Sequence, residues 1–202
     1  MKEVFSQIYR ENLWGDPESV SGPGSGLVRT SAFRDEISAL MKAIDARSLL
    51  DAACGDFNWM RETRLDVEEY IGVDIVAELA AANQRKFGNN KRRFIELDIT
   101  RDKLPRADVI LCRDCLVHFS FDHTVDAIQN FKRSGSDFLL TTTFIRFPQN
   151  SDIRTGDWRE LNLEVAPFNF PKPLALIDER CTHTGGIYTD KHLALWRLDE
   201  IM

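Results

Sequence analysis

No stretch of this sequence approaches the ~18 consecutive apolar residues that a membrane-spanning helix needs. Positive charge is also in short supply: 26 Lys and Arg stand against 32 Asp and Glu, a formal net charge of -6 at pH 7. That balance argues against a domain whose main task is gripping nucleic acid. Cysteine is scarce as well. Four residues without framework spacing point to reduced thiols and a cytoplasmic location rather than a disulfide scaffold. The N-terminal MKEVFSQIYRENLW is not expected to act as a signal peptide, and neither an internal repeat nor a low-complexity segment is present. What is there is the composition of an ordinary globular protein, 43% hydrophobic and 29% charged. The 202 residues suffice for one domain with a sizeable core and are too few for two.

Short apolar runs at 48–53, 70–74, 93–99, 107–112 and 137–144 do not alternate with polar residues, as expected of strands buried on both faces, and 174–178 and 192–198 are expected to pair as the last two strands. Helical periodicity fills the gaps at 58–66, 76–87 and 121–134. It also appears at 3–13, where Val4, Ile8 and Phe5 share a stripe, and at 32–46, where Thr30 or Ser31 would cap the helix. Strand alternating with helix defines a doubly wound α/β domain. Three parts are expected within it. Residues 1–30 form a helix and a Gly/Ser loop, with four Gly, two Pro and three Ser between Trp14 and Gly26; 31–145 form the core; 146–202 form a long Phe- and Asn-rich segment and a final hairpin.

In such sheets ligands sit beyond the carboxyl ends of the strands, and there the sequence places acids: Asp51, Asp74, Asp98 and the pair Arg113-Asp114. Any one of them could simply cap the following helix. Three acids at successive strand ends suit a ligand rich in hydroxyl and amino groups. The loop D51-A-A-C-G-D-F57 and the later IGVDI and ELDI segments resemble the motifs of class I S-adenosylmethionine-dependent methyltransferases over roughly residues 30–145.

That resemblance implies a seven-stranded Rossmann-like sheet in the order 3-2-1-4-5-7-6. It puts Asp51, Ala53, Gly55 and Asp56 of the first loop against the cofactor, Asp74 and Ile75 at its ribose, Asp98 and Ile99 at its adenine, and Arg113 nearby. Ala53 replaces a glycine at the cost of one methyl, and Phe57 replaces another where the following helix is expected to begin against the sheet. A dinucleotide-dependent dehydrogenase would want those glycines, because a pyrophosphate needs bare backbone amides. S-adenosylmethionine carries no phosphate.

The chemistry is expected just after the fourth strand. Members of the family that act on small molecules carry an acid and a histidine there, and Asp114 and His118 match. Either could take the proton of an attacking hydroxyl, or each could be a turn-forming residue. Trp14, Ser25, Arg29 and Thr30 are expected to form a lid or acceptor wall, joined by Arg159, Asn162, Phe168 and Asn169 from the long segment. The stretch W-G-x-x-E-S-x-S-G-x-G-S resembles a branch linked to sugar and surface-glycan modification. These features favour an O-methyltransferase acting on a sugar or glycan, with another small molecule, RNA or a protein as alternative acceptors and a non-catalytic cofactor-binding module as a third class. The one basic cluster, Arg85–Arg93, reads as a solvated face. Cys112 and Cys115 form a lone C-x-x-C, and in the family's strand order Cys181 and His183 lie roughly 14 Å away, so no protein-bound metal is expected. A divalent ion orienting acceptor hydroxyls stays open, as does the oligomeric state.

Overall fold

The computed structural model describes residues 1–181 and 184–201; His183 lies outside the described residues. Seven strands form one sheet in the order β3-β2-β1-β4-β5-β7-β6. They are β1 (Ser48–Ala52), β2 (Glu69–Asp74), β3 (Arg92–Glu96), β4 (Val109–Cys112), β5 (Phe138–Phe144), β6 (Ala175–Asp178) and β7 (Lys191–Arg197). The strands from β1 to β5 pair in parallel, and β7 runs antiparallel between β5 and β6. This is the Rossmann-like methyltransferase topology.

Both faces of the central strands are covered, which explains their unalternating apolar runs, whereas the edge strands β3 and β6 leave residues such as Leu176 exposed. Adjacent Leu49 and Leu50 point to opposite sides, and both are completely buried. Leu49 joins Phe33, Ile37 and Met41 of helix α2 (Leu27–Ala43). Leu50 joins Ala127, Ile128 and Phe131 of helix α4 (Phe121–Arg133) together with Trp196. Helix α3 (Ala77–Phe87) connects β2 to β3, and helix α1 (Lys2–Glu11) packs Phe5 against the Leu50 side. Only Ile8 of the expected α1 stripe is buried among its apolar residues; Val4 remains exposed.

Two helices differ from the sequence expectation. α2 starts at Leu27, five residues early, because its first amide is capped from outside: Leu27 N–H donates to Glu18 Oε1 at 2.7 Å. Thr30 is therefore not a cap. It is buried inside the helix, its hydroxyl donating to the Gly26 carbonyl at 3.0 Å. The helix expected over 58–66 shrinks to one 3₁₀ turn, Met60–Glu62. Phe57 has a left-handed backbone (φ 59°) that puts its ring into an aromatic cluster with Tyr70, Phe87 and Phe94. Trp59 packs on Phe33 instead. Apolar side chains anchored in different directions leave no single stripe for a helix to bury.

Candidate active site

At the carboxyl edge of β1, β2 and β4 the chain encloses a cavity lined by the strand-end residues Asp51, Ala53, Gly55, Asp74, Ile75, Ile99, Arg113 and Asp114. Its roof is the N-terminal segment, through Met1, Phe5, Tyr9, Trp14, Ser21 and Ser25. Asp74 is gripped by backbone: Gly55 N–H donates to Oδ2 at 3.1 Å and Val76 N–H to Oδ1 at 3.0 Å. Tyr70 Oη donates to Asp51 Oδ2 at 2.6 Å. Burial nevertheless dominates both acids. It pushes Asp51 up to about 7 against the Tyr70 hydrogen bond, and Asp74 up to about 6 against its backbone donors. Two buried carboxylates beside an apolar wall of Ile75, Val76, Leu79, Leu97 and Ile99 are complementary to a cation that also carries hydroxyls and a flat ring. A pyrophosphate would meet repulsion there.

Asp56 does not reach this cavity. Its carboxylate fastens the roof, accepting from Ser19 Oγ (2.8 Å), Val20 N–H (3.1 Å) and Ser21 Oγ (3.2 Å). Asp98 is also turned away. It closes its own turn, accepting from Thr100 N–H at 3.0 Å and Thr100 Oγ1 at 2.6 Å, and pairs with Arg101.

A second cavity of about 580 Å³ opens beside the first and shares Trp14, Ser21, Asp114 and His118 with it. Phe144, Trp158 and Tyr188 form an edge-to-face aromatic wall, and Arg29 and Asp157 also line the cavity. At the junction, Asp114 has φ 51°, a conformation costing a non-glycine residue about 1–2 kcal/mol and typical of functional positions. Its Oδ2 accepts from Lys191 Nζ at 2.7 Å and pairs with Arg113 at 3.3 Å, and Glu179 Oε2 accepts from Arg113 at 2.7 Å and pairs with Lys191 at 3.1 Å. Burial works against ionising Asp114, but Lys191 and Arg113 outweigh it and hold its carboxyl well below the usual range.

His118 stacks on Trp14, ring centroids 5.1 Å apart, and its Nδ1 lies 2.8 Å from the Asp157 carbonyl oxygen. A carbonyl only accepts, so Nδ1 carries the proton and Nε2 keeps its lone pair. Burial lowers the His118 pKa against the pull of that hydrogen bond and of Asp114, so the ring is neutral at pH 7.

Of the acceptor residues expected from the long segment, none lines either cavity. Arg159 is off by one position: Trp158 faces the cavity while Arg159 turns inward, where Nη1 donates to the carbonyls of Leu116, Val117 and Phe119. It thus ties down the turn that carries His118. Asn162 is buried against the Phe147 carbonyl, Phe168 packs on Phe121, and Asn169 turns back to the Pro167 carbonyl. Trp158, Tyr188, Glu179 and Lys191 were missed, because nothing local in the sequence marks residues brought together from the long segment and the last hairpin. Among the described residues no cluster of three or more His, Cys, Asp or Glu could hold a metal ion.

A sheet of this order with an acid-lined cavity at its carboxyl edge defines a class I methyltransferase fold. Residues 49–135 match the family model of a methyltransferase domain. No curated protein matches the sequence. Solved structures of the same fold include magnesium protoporphyrin IX methyltransferase from Synechocystis (12% identity, 97% of each chain, TM-score 0.62). A 1,6-didemethyltoxoflavin methyltransferase from Burkholderia thailandensis is also similar (16% identity, 97% of this chain and 86% of that one, TM-score 0.60). Human N-acetylserotonin methyltransferase matches over 95% of this chain and 58% of its own (16% identity, TM-score 0.57).

Proposed function

We propose that the protein transfers the methyl group of S-adenosylmethionine to a hydroxyl of a sugar or glycan ring, with His118 as the base. The observation that carries this reading is the His118 ring at the junction of the two cavities, its Nδ1 committed to a carbonyl and its Nε2 without a hydrogen-bond partner among the described residues. The cofactor supplies a methyl already activated on a sulfonium sulfur. The chain's part is to hold the hydroxyl at attack distance and to accept its proton at Nε2 as the carbon–oxygen bond forms. The aromatic wall suits the apolar face of a saturated ring. Methyltransferases of similar fold act on small molecules by name, which supports a small acceptor over RNA or protein. The basic cluster supports the same choice: Arg92 lies over the Phe57 and Tyr70 rings and Arg93 pairs with Glu69, so these two charges have partners within the fold. Incubation with isotope-labelled S-adenosylmethionine and panels of glycans, RNA and proteins tests the reading directly. Label confined to RNA or protein would end it.

In the first cavity, Asp74 is assigned to the two ribose hydroxyls and Asp51 to the cofactor's amino group. Both act as acceptors and must be ionised when the ligand is bound. In the ligand-free protein their pKa values lie above the unfolded value of about 3.9, so the native state binds more protons than the unfolded chain between about pH 4 and pH 7 and loses stability as pH rises through that window. S-adenosylhomocysteine should reverse the balance. Its affinity is expected to climb from about pH 5 to about pH 7.5 with release of protons, measurable by calorimetry in buffers of different ionisation enthalpy. Asp74→Ala should weaken it by at least about tenfold, since hydrogen bonds to a charged acceptor contribute ~1.5–3 kcal/mol each. A pH-independent affinity, or a well-folded alanine variant with unchanged affinity, would refute the assignment.

Cofactor class gives a simpler test. Saturating S-adenosylhomocysteine should raise the melting temperature, by about 2.7 kcal/mol of stabilisation at a hundred times its Kd. NAD and NADP should not, because Phe57 stands where a pyrophosphate loop needs bare backbone. A shift with NAD alone would instead favour a dehydrogenase.

A further inference from the structure

Lys191 opens β7 at the wall of the second cavity and is buried, yet not all of its capacity is used within the protein. An ammonium has three N–H donors. One goes to Asp114 Oδ2 at 2.7 Å, and the charge also pairs with Glu179 Oε2 at 3.1 Å; among the described residues no other group takes an N–H of this ammonium. Asp114 is under-used in a complementary way. Its Oδ2 takes both cations and lies under Gly24, where an added Cβ would come within 2.9 Å. Among the described residues its Oδ1 has only the Thr142 hydroxyl, at 3.5 Å. The junction therefore offers an incoming molecule one N–H donor from Lys191, one carboxylate oxygen from Asp114 and the lone pair of His118 Nε2.

A single hydroxyl cannot satisfy that set. It has one proton, and if the proton goes to His118 Nε2 nothing is left for Asp114 Oδ1. Its oxygen can still accept from Lys191 while a second lone pair attacks the methyl group. Asp114 then needs a donor from a neighbouring group, and Lys191 Nζ lies only 2.7 Å from that carboxylate, so the neighbour sits on the adjoining ring atom. Charge narrows the choice further. Arg113 and Lys191 are matched by Asp114 and Glu179, and Arg29 is matched by Asp157 among the remaining lining residues, which leaves no net charge to recognise an ionic acceptor.

We propose that the acceptor is a neutral ring bearing two adjacent hydroxyls, one aligned by Lys191 and the other held by Asp114, and that Lys191 determines specificity for this pair. The inference rests on reading the two cavities as cofactor and acceptor sites. Trp14 and Trp158 line the acceptor cavity, so binding can be followed by tryptophan fluorescence in protein saturated with S-adenosylhomocysteine. The probes are methyl glycosides with vicinal hydroxyls, each beside its monodeoxy counterpart, and catechol beside phenol; the two arms separate a saturated from an aromatic ring. At least one diol should bind saturably, and its mono-ol counterpart at least about tenfold more weakly. Lys191→Met should erase that difference without changing S-adenosylhomocysteine affinity, and Lys191→Arg should restore part of it. If the methionine variant fails to fold, the diol and mono-ol comparison on the unmodified protein decides alone. Equal binding of a mono-ol and its diol, or saturable binding by none of the diols, overturns the proposal. Methyl transfer to a mono-ol would leave O-methylation standing and remove only the diol. Failure to bind S-adenosylhomocysteine would remove the underlying reading first.

Discussion

Replacing His118 by glutamine is expected to lower turnover by about 10²–10⁴-fold, the usual worth of general-base assistance. Affinity for S-adenosylhomocysteine should stay nearly constant, because Asp51 and Asp74, the acceptors assigned to it, are held by Tyr70, Gly55 and Val76 and not by the imidazole. Glutamine can still donate towards that carbonyl but accepts no proton. Turnover should fall with KM little changed, the signature of an interaction made in the transition state. The pH profile adds an independent check. A His118 pKa below the ordinary value of about 6.5 means the base is already free at neutral pH, so the rate should be flat there and fall only in acid as Nε2 protonates. Asp114 is a poor alternative base, since Lys191 and Arg113 keep it ionised and weakly basic. Asp114→Asn should chiefly weaken acceptor binding and leave the acid limb in place. A glutamine variant retaining more than about a third of the activity would mean that proximity alone carries the reaction.

The sheet was legible in the sequence because burial on both faces leaves an unmistakable trace: runs such as Ser48–Ala52 and Phe138–Phe144 that never alternate. Asp51, Asp74 and Asp114 were legible for a related reason, since topology sends every parallel strand end to the same edge. Asp98 shows where that logic stops. A Thr two residues on offered its carboxylate a local partner, and the local turn prevailed over the ligand edge. Asp56 was placed at the right loop but on the wrong object, because the serines it holds lie more than thirty residues earlier. The second cavity was legible only in part. Trp14 and Arg29 come from a loop whose composition advertises it, whereas Trp158, Tyr188 and Lys191 converge from segments that share no period or motif. Arg159 was read as a substrate residue from its charge, and only the alternation of an extended chain distinguishes it from Trp158.

Gly55 combines the most legible feature of the site with the least, and its replacement by valine should have the largest effect on the fold of the cavity. The glycine has φ +55°, where a side chain costs about 1–2 kcal/mol and a β-branched one is a genuine outlier. A Cβ there would lie 2.2 Å from Ser21 Oγ and 2.9 Å from Ser21 Cβ. Ser21 would have to move, and its hydroxyl would lose the bond from Asp56 N–H at 2.8 Å and the bond to Asp56 Oδ1 at 3.2 Å, at about 1 kcal/mol each. A destabilisation of about 3–4 kcal/mol follows, or a drop in Tm of about 6–16 °C for a chain of this size. Binding should suffer more than stability, because the displaced segment supplies Trp14, Ser21 and Ser25 to the first cavity and Gly22, Pro23 and Gly24 to the second. The Gly55 amide also donates to Asp74. A loss of S-adenosylhomocysteine affinity of at least about 100-fold is expected, equivalent to about 2.8 kcal/mol. Gly55→Ala should show the same pattern more mildly, and adding Ser21→Gly should recover the part due to collision but not the part due to backbone strain. A valine variant with unchanged Tm and unchanged S-adenosylhomocysteine affinity would show that Ser21 does not bear on this loop and that the N-terminal segment closes neither cavity.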